Sequence, residues 1–205
     1  MRRLLFALLL LGWLSVVSGG MAVVWSYNHR PGEPAEAPMR WPAGSQIRRG
    51  NAYTLVLLAH PKCPCTRATL EELSKLLAHT QGRLTTFVLF VKPRGTADNW
   101  NQTDLWHRAA ELPDVSVLND DDGIEAKRFG AYVSGQALLY DAKGNLLFQG
   151  GITESRGQIG DNAGRSAVEA LVNQGTSDRD RTMVFGCPLF DANECRTPEH
   201  AIRNK

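Results

Sequence analysis

Two cysteines separated by a single proline mark the stretch of the chain where chemistry is expected. Cys63 and Cys65 lie in the run His-Pro-Lys-Cys-Pro-Cys-Thr at positions 60–66. A run of strand formers, Tyr53–Ala59, precedes it, and leucines at helical spacing follow in Thr66–Ala78. A helix start presents unpaired N–H groups and the positive end of the helix dipole, and both favour a thiolate. The pattern therefore predicts a strand, a tight turn and a helix, with reactive thiols at the joint.

The two thiols have different predicted roles in thiol–disulfide exchange. We expect Cys63 to lie outermost on the turn and to be the nucleophile, and Cys65 to be the resolving partner. Pro64 restricts the backbone between them and holds both sulfurs on one side. A disulfide across one intervening residue closes a small, strained ring, which makes the bond easier to reduce. The spacing therefore predicts a thiol–disulfide oxidoreductase with an oxidant or isomerase bias. Surface turns rich in proline argue against two merely buried, inert cysteines.

Three residues next to the thiols, His60, Lys62 and Thr66, are predicted to influence their position or reactivity. His60 is expected either to share a proton with Cys63 or to be an ordinary packing residue. Lys62 adds positive charge beside the thiols or serves only solubility, and Thr66 stands at the helix start.

The same residues fit a second class of function, metal handling. Two thiolates one residue apart, with His60 three residues before Cys63, suit Cu(I) or zinc, and Cys187 would complete such a site. The leading interpretation has no cofactor and no metal. The alternative is a copper or zinc binding and delivery protein, with Cys63, Cys65 and His60 as ligands.

A second cysteine pair, Cys187 and Cys195, lies in a tail predicted to begin at residue 176. The pair is expected to form a local disulfide. In the alternative, Phe185–Phe190 docks on the domain and Cys187 exchanges with the Cys-Pro-Cys pair as a relay.

The alternation of strand and helix patterns over residues 49–175 predicts one α/β domain with a central sheet and helices on both faces. The predicted strands are Tyr53–Ala59, Leu84–Val91, Val115–Leu118, Gln136–Tyr140 and Asn145–Phe148. The predicted helices are Thr66–Ala78, Thr103–Glu111, Asp121–Phe129 and Asn162–Asn173. The length of 205 residues allows this domain plus extra segments. A net charge of +2 gives no indication of a nucleic-acid partner, and oligomeric state is left open.

Three segments of this domain resemble the thioredoxin superfamily. Leu55–Thr66 is similar to its strand, active-site turn and helix start, Phe129–Tyr140 to the segment that carries its cis-proline, and Asp141–Gly151 to its closing hairpin. The resemblance implies a three-layer fold with a mixed sheet. Lys62 stands where the attacking cysteine of the family's C-x-x-C motif belongs, and Gly135 replaces the cis-proline.

A closer resemblance is to bacterial RedB-like proteins. It rests on the Cys-Pro-Cys run, on Gly150–Arg165 and on Phe185–Leu189. It implies redox chemistry with a protein thiol or disulfide as partner.

The superfamily resemblance also implies a shell around the thiols. Gly135 would lie opposite them with its backbone N–H and C=O open to an incoming peptide, or would serve only turn geometry. Gln136 would hydrogen-bond that ligand. The loop after Phe148 should return beside Cys63, where Arg156 would stabilise a thiolate or bind an acidic group. Glu154 and Arg165 of the same loop are expected to be solvated, with Asp161 or Asn162 capping the last helix.

The N-terminus is predicted to be a membrane anchor, residues 1–27, followed by a Pro-rich tether, residues 28–48. Arg2 and Arg3 precede an apolar run from Leu4 to Trp25 that is long enough to cross a bilayer. The arginines predict a single-pass protein of the bacterial inner membrane, with one transmembrane helix and the domain on the periplasmic side. Signal cleavage after Ser18–Gly20, which would leave a secreted periplasmic protein, is the alternative.

Overall fold

A computed structural model of the chain describes residues 1–33 and 36–190. The chain divides into two compact units, Met1–Arg30 and Pro31–Lys205. The first unit is helix α1, Arg2–Asn28, none of whose residues is buried. Its most apolar window has a mean hydropathy of 2.1, so α1 is long and apolar enough to cross a membrane. A signal sequence has the same features.

The second unit is a mixed α/β domain whose elements follow the predicted order. Its strands are β1 Tyr53–Ala59, β2 Leu84–Lys92, β3 Val115–Asp121, β4 Gln136–Tyr140 and β5 Leu146–Gly151. Its helices are α2 Pro64–Thr80, α3 Asp104–Ala110, α4 Ile124–Arg128 and α5 Ala163–Gln174. The strands form one sheet in the order β3-β2-β1-β4-β5. Strands β1, β2 and β3 pair in parallel, whereas β4 is antiparallel to both β1 and β5.

Helices cover both faces of this sheet, as predicted. Alternate residues of β1 point to opposite faces, so Leu55 and Leu57 pack with the leucines of α2 and α5. Val56 and Leu58 pack on the other face, against Phe129 and the region of α4. The central strand is therefore buried on both sides, which fits its continuous apolar sequence.

The described part of the segment predicted to be a free tether instead packs on the domain. Ala37 and Ile47 are buried in the core cluster on the α4 side of the sheet. The N–H of Trp41 donates to the carbonyl of Gly144 at 2.8 Å, and the Tyr140 hydroxyl donates to the carbonyl of Pro38 at 3.0 Å. The few apolar residues of this segment suffice to hold it against the domain.

The described part of the tail, residues 176–190, also belongs to the domain. It runs parallel to β5, where the Gly151 N–H donates to the Met183 carbonyl at 3.2 Å. A Cβ atom on Gly151 would lie 2.6 Å from that carbonyl oxygen, so the glycine permits the close approach. The tail then crosses to the start of β4. Cys195 lies outside the described residues.

Candidate active site

The start of α2 positions the first two thiols. Cys63 is the N-cap residue in extended conformation, and Pro64 occupies the first helical turn, where its missing N–H costs nothing. The Cys63 N–H donates to the His60 carbonyl, and the Cys63 carbonyl accepts from Thr66, each at 3.1 Å. The predicted joint of strand, turn and helix is confirmed.

A third thiol joins these two. The thiols of Cys65 and Cys187 and the backbone N–H groups of the same two residues lie close enough to the Cys63 sulfur to lower its pKa. Cys63 is thus the centre of a three-cysteine cluster, and Cys187 reaches it from the tail. All three cysteines are free.

Hydrogen bonding within this cluster separates the pKa values of its members. The pKa of Cys63 lies far below its usual range. The hydrogen bond from the Cys65 thiol lowers it most, and the Cys187 and backbone donors lower it further. Together these donors outweigh burial, which raises the pKa. Donating to Cys63 raises the pKa of Cys65, with burial adding to the effect. Burial, then the hydrogen bond to Cys63, raises the pKa of Cys187 to about 12. These opposite shifts favour a thiolate at Cys63 and neutral thiols at Cys65 and Cys187.

The prediction that Cys63 lies outermost is wrong. Cys63 is only 1% exposed, whereas Cys65 is half-buried. The tail covers the nucleophile: the Cys187 carbonyl accepts the Ser134 N–H at 2.8 Å, and the Leu189 N–H donates to the Tyr132 carbonyl at 2.9 Å. Sequence periodicity gave no indication of this cover because the contact joins segments far apart in the chain.

Arg156 lies beside the cluster, as its placement in the returning loop predicted. Its Nη1 donates to the Gly186 carbonyl at 2.7 Å, directly before Cys187. Its positive charge opposes the upward shifts in the pKa of Cys65 and Cys187. Arg156 therefore both holds the tail and favours thiolates in the cluster.

Arg165 and its neighbours bind a buried carboxylate of α2. The Arg165 Nε lies 2.8 Å from the Glu72 carboxylate, whose side chain is fully buried in α2. The same carboxylate accepts from the Gly160 N–H at 2.9 Å and the Asn162 side chain at 3.1 Å. Asn162 caps α5, as one of the two predicted candidates, and Glu154 is exposed. Glu72 was missed because a glutamate among helical leucines looks like a solvated residue.

Gly135 does not offer the open backbone that the resemblance implied. Its N–H donates to the Leu58 carbonyl at 2.7 Å, and its φ of 93° is one that glycine favours. The backbone edge that faces the thiols lies one residue earlier, at Ser134, and the tail occupies it. Gln136 is buried and lines a separate cavity of about 450 Å³ with Gln149 and Met183, and its contact with a ligand stays a prediction.

His60 and Lys62 both contact Trp100, which the sequence did not single out. Burial lowers the pKa of His60, so its ring is neutral at pH 7, and its Nδ1 accepts the Lys62 N–H at 3.1 Å. The ring meets Trp100 edge-on at 5.6 Å, and the Lys62 Nζ lies 4.7 Å from the centre of the Trp100 ring. With Nδ1 engaged, only Nε2 remains for the predicted proton sharing with Cys63.

Ser134 ties the turn to the start of β4 and was also missed. Its hydroxyl oxygen accepts the His60 N–H at 2.9 Å and lies 3.0 Å from the Thr66 hydroxyl. Thr66 is buried, and its contact with Ser134 helps to position the start of α2. Ser134 thus holds the turn through its hydroxyl group and the tail through its backbone N–H.

Metal binding stays a prediction. Cys63, Cys65 and Cys187 are the residues that would hold a soft cation. In the parts of the chain that the structure describes, no group of three histidine, cysteine or carboxylate residues is arranged to hold a metal ion.

Comparison with known proteins concerns the fold alone. No protein-family model and no curated protein matches the chain. An uncharacterized conserved protein from Geobacillus kaustophilus aligns with 78% of this chain and 92% of its own, at 18% identity and a TM-score of 0.55. A hypothetical protein from Sinorhizobium meliloti 1021 aligns with 78% and 93%, at 22% identity and the same TM-score. A secreted Mycobacterium tuberculosis disulfide oxidoreductase aligns more weakly, with 60% and 82%, at 16% identity and a TM-score of 0.42.

The fold class follows from the sheet and from the joint between β1 and α2. Two parallel pairs, an antiparallel closing hairpin, helices on both faces and a cysteine at the N-terminus of α2 occur in the predicted order. The chain has a thioredoxin-like α/β fold, preceded by an apolar helix that is a candidate membrane span.

Proposed function

We propose that the protein is a thiol–disulfide oxidoreductase that uses its Cys-Pro-Cys motif, with Cys63 as the attacking group. The observation that carries this proposal is the position of Cys63 at the N-cap of α2, with Cys65 in the first turn of the same helix. The positive end of the helix and the neighbouring thiols and N–H groups lower the pKa of Cys63 and favour the thiolate, which is the reactive form of cysteine. An inert, buried cysteine would have the opposite shift, because burial alone raises a thiol pKa.

The exchange begins with Cys63. Its thiolate attacks one sulfur of a partner disulfide, which forms a mixed disulfide and releases the other partner sulfur as a thiolate that takes a proton from water. A second thiol of the cluster then attacks the Cys63 sulfur and expels the remaining partner sulfur. The partner gains two electrons and two protons; the cluster supplies both electrons and one proton, and water supplies the other proton because Cys63 begins as a thiolate. The reverse sequence oxidises a partner dithiol.

The structure of the cluster favours the oxidising direction. Donors to the Cys63 thiolate stabilise the reduced form of the protein, and a stabilised reduced form makes the corresponding disulfide a stronger oxidant. The predicted strain in a disulfide across Pro64 acts in the same sense.

We further propose that α1 anchors the protein in the bacterial inner membrane and that the domain works on the periplasmic side. The support is the length and apolar character of α1 and the two arginines before its apolar run. An exported location suits disulfide exchange, since the compartment is oxidising.

The test uses oxidised glutathione as a small partner disulfide and the full chain in detergent. In the double variant Cys65→Ser/Cys187→Ser, no second thiol of the described residues remains beside Cys63, so we expect a stable adduct of one glutathione, located on Cys63 by peptide mass spectrometry. Adding Cys63→Ser to this variant should remove the adduct. A double variant that forms no adduct at neutral pH while an unfolded control does so would contradict the proposal.

Binding of Cu(I) at the Cys-Pro-Cys pair is the second candidate function. Cu(I) prefers thiolate ligands, and Cys63 and Cys65 supply two of them one residue apart. Purified full-length protein that carries stoichiometric copper, lost in Cys63→Ser, would place this function first.

A further inference from the structure

We propose that Phe185–Phe190 is a built-in substrate strand and that its Cys187, rather than Cys65, is the thiol that resolves mixed disulfides on Cys63. This inference rests on the proposed exchange function and assigns the second step of that exchange to a named residue. It also identifies the surface that a partner uses, because the tail occupies it.

The tail docks as an extended strand against the backbone before β4. Val133 and Pro188 pair in antiparallel fashion. The Cys187 carbonyl accepts the Ser134 N–H at 2.8 Å, and the next ladder bond joins the Leu189 N–H to Tyr132 at 2.9 Å. An exposed backbone edge binds extended peptides by the same hydrogen bonds, with side-chain pockets adding selectivity. Here the bound peptide is part of the same chain.

Side chains on both sides of Cys187 fix this strand in register. Phe185, Leu189 and Phe190 are all at most 9% exposed. Gly186 passes so close to Ser134 that a Cβ atom on it would overlap the Ser134 carbonyl oxygen. With Arg156 bound to the Gly186 carbonyl, these contacts place the Cys187 thiol at the Cys63 sulfur.

Cys187 is better suited than Cys65 to form a disulfide with Cys63. A bond between Cys63 and Cys65 closes a ring across one residue within a helix start. Cys187 comes from a separate segment, so its bond to Cys63 closes no small ring, and the backbone bonds of the docked tail already hold Cys187 beside Cys63.

The charge on Cys63 also determines when Cys187 can act as a nucleophile. Burial does most to raise the pKa of the Cys187 thiol, and the hydrogen bond to Cys63 and the negative charge of Cys63 raise it further. The two contributions from Cys63 disappear when Cys63 enters a mixed disulfide. The positive charge of Arg156 then favours the Cys187 thiolate, so the second nucleophile becomes available after the first has reacted.

Cys187 loses its proton to water, and its thiolate attacks the Cys63 sulfur of the mixed disulfide. The Cys63–Cys187 bond forms, the bond from Cys63 to the partner breaks, and the partner sulfur leaves as a thiolate and takes up a proton. A partner strand and the tail use the same backbone edge, so return of the tail and release of the partner are one event.

Disulfide mapping tests the proposed bond directly. Trypsin releases Cys63–Arg67, which contains both active-site cysteines, and Thr182–Arg196, which contains Cys187 and Cys195. In full-length Cys195→Ser protein oxidised with oxidised glutathione, we expect these two peptides to be joined. The link should survive Cys65→Ser and vanish in Cys63→Ser. A disulfide confined to Cys63–Arg67, with a free thiol in the tail peptide, would overturn the proposal.

Release kinetics test the assigned role. After attack of Cys63 on oxidised glutathione, Cys187→Ser should lower the rate of glutathione release by about tenfold or more, and the Cys63 adduct should accumulate. Cys65→Ser should slow the attack, because it alters a donor to Cys63, yet should not accumulate the adduct. Accumulation in Cys65→Ser and not in Cys187→Ser would assign the step to Cys65. Absence of any adduct in all variants would instead refute the proposed function.

A variant that keeps every thiol tests the docking itself. Gly186→Ala places a Cβ against the Ser134 carbonyl and should lift the tail, so alkylation of Cys63 by a bulky maleimide should become about tenfold faster and the link to Cys187 should be lost. Gly44→Ala is the matched control, because its Cβ would meet only the Arg128 side chain at 3.6 Å. Equal behaviour of Gly186→Ala and Gly44→Ala would count against a docked tail.

Discussion

The reactive state of Cys63 depends first on a hydrogen bond from its neighbour in the motif, and removing that donor gives the most direct test of the cluster. The Cys65 thiol is the largest single influence that lowers the pKa of Cys63. Hydrogen bonds to charged groups contribute about 1.5–3 kcal/mol. Because S–H is a weak donor, the lower end applies, and about 1.5 kcal/mol corresponds to roughly 1 pKa unit.

Cys65→Ala should therefore raise the pKa of Cys63 by roughly 1 unit. Cys187→Ala should raise it less, because the Cys187 donor ranks below that of Cys65. The assay is the rate of alkylation of Cys63 by iodoacetamide as a function of pH, read by peptide mass spectrometry. Since the thiolate is the reacting form, the rate should fall as pH drops through the pKa of Cys63 and should be flat above it.

The matched control is Ser74→Ala, a half-buried position on the same helix, which should leave the pH profile unchanged. Two results would refute the reasoning. One is a wild-type Cys63 that gains reactivity only near pH 8.5, as a free cysteine does. The other is a Cys65→Ala profile that coincides with the wild-type profile.

Three further predictions concern the surroundings of the cluster. Glu72→Gln should lower the free energy of unfolding by about 1.5–3 kcal/mol, because it removes the buried carboxylate at the Arg165 Nε, while Glu169 at 2.9 Å still pairs with the same guanidinium. The pKa of Glu72 is lowered in the folded state, so the difference from wild type should shrink as denaturation is measured at pH values below about 4. Arg156→Ala should slow release of glutathione from Cys63 and speed alkylation of Cys63 by maleimide, since it frees the Gly186 carbonyl and removes a positive charge; unchanged rates in both assays would remove Arg156 from the site. Redox titration against glutathione should give a midpoint well above the roughly −270 mV of thioredoxin, and a midpoint that low would refute the oxidant bias.

Local sequence patterns were enough to predict the sheet and the helix that carries Cys63. The continuous apolar run of Tyr53–Ala59 belongs to a central strand buried on both faces, and the start of α2 depends on residues within one turn. These features are encoded within a few residues of one another, which is why periodicity and proline position reveal them.

The cover over the thiols could not be derived in the same way. The contact between Cys187 and Cys63 joins positions 124 apart in the sequence, and it depends on backbone approach at Gly186 and Ser134. A glycine before a cysteine gives no indication of which carbonyl it will face. The sequence therefore left docking of the tail open as an alternative, and Ser134 and Trp100 carried no signal at all.

The missing side chain at Gly186 has a consequence for partner selection. If an outside strand takes the register that the tail now holds, the residue before its cysteine meets the Ser134 carbonyl oxygen, where even a methyl group does not fit. A partner strand with glycine before its cysteine could bind in the same register as the tail. A partner strand with a larger residue before its cysteine would have to bind with a shifted or bent backbone. The Ser134 carbonyl oxygen thus selects which partner sequences can reach Cys63.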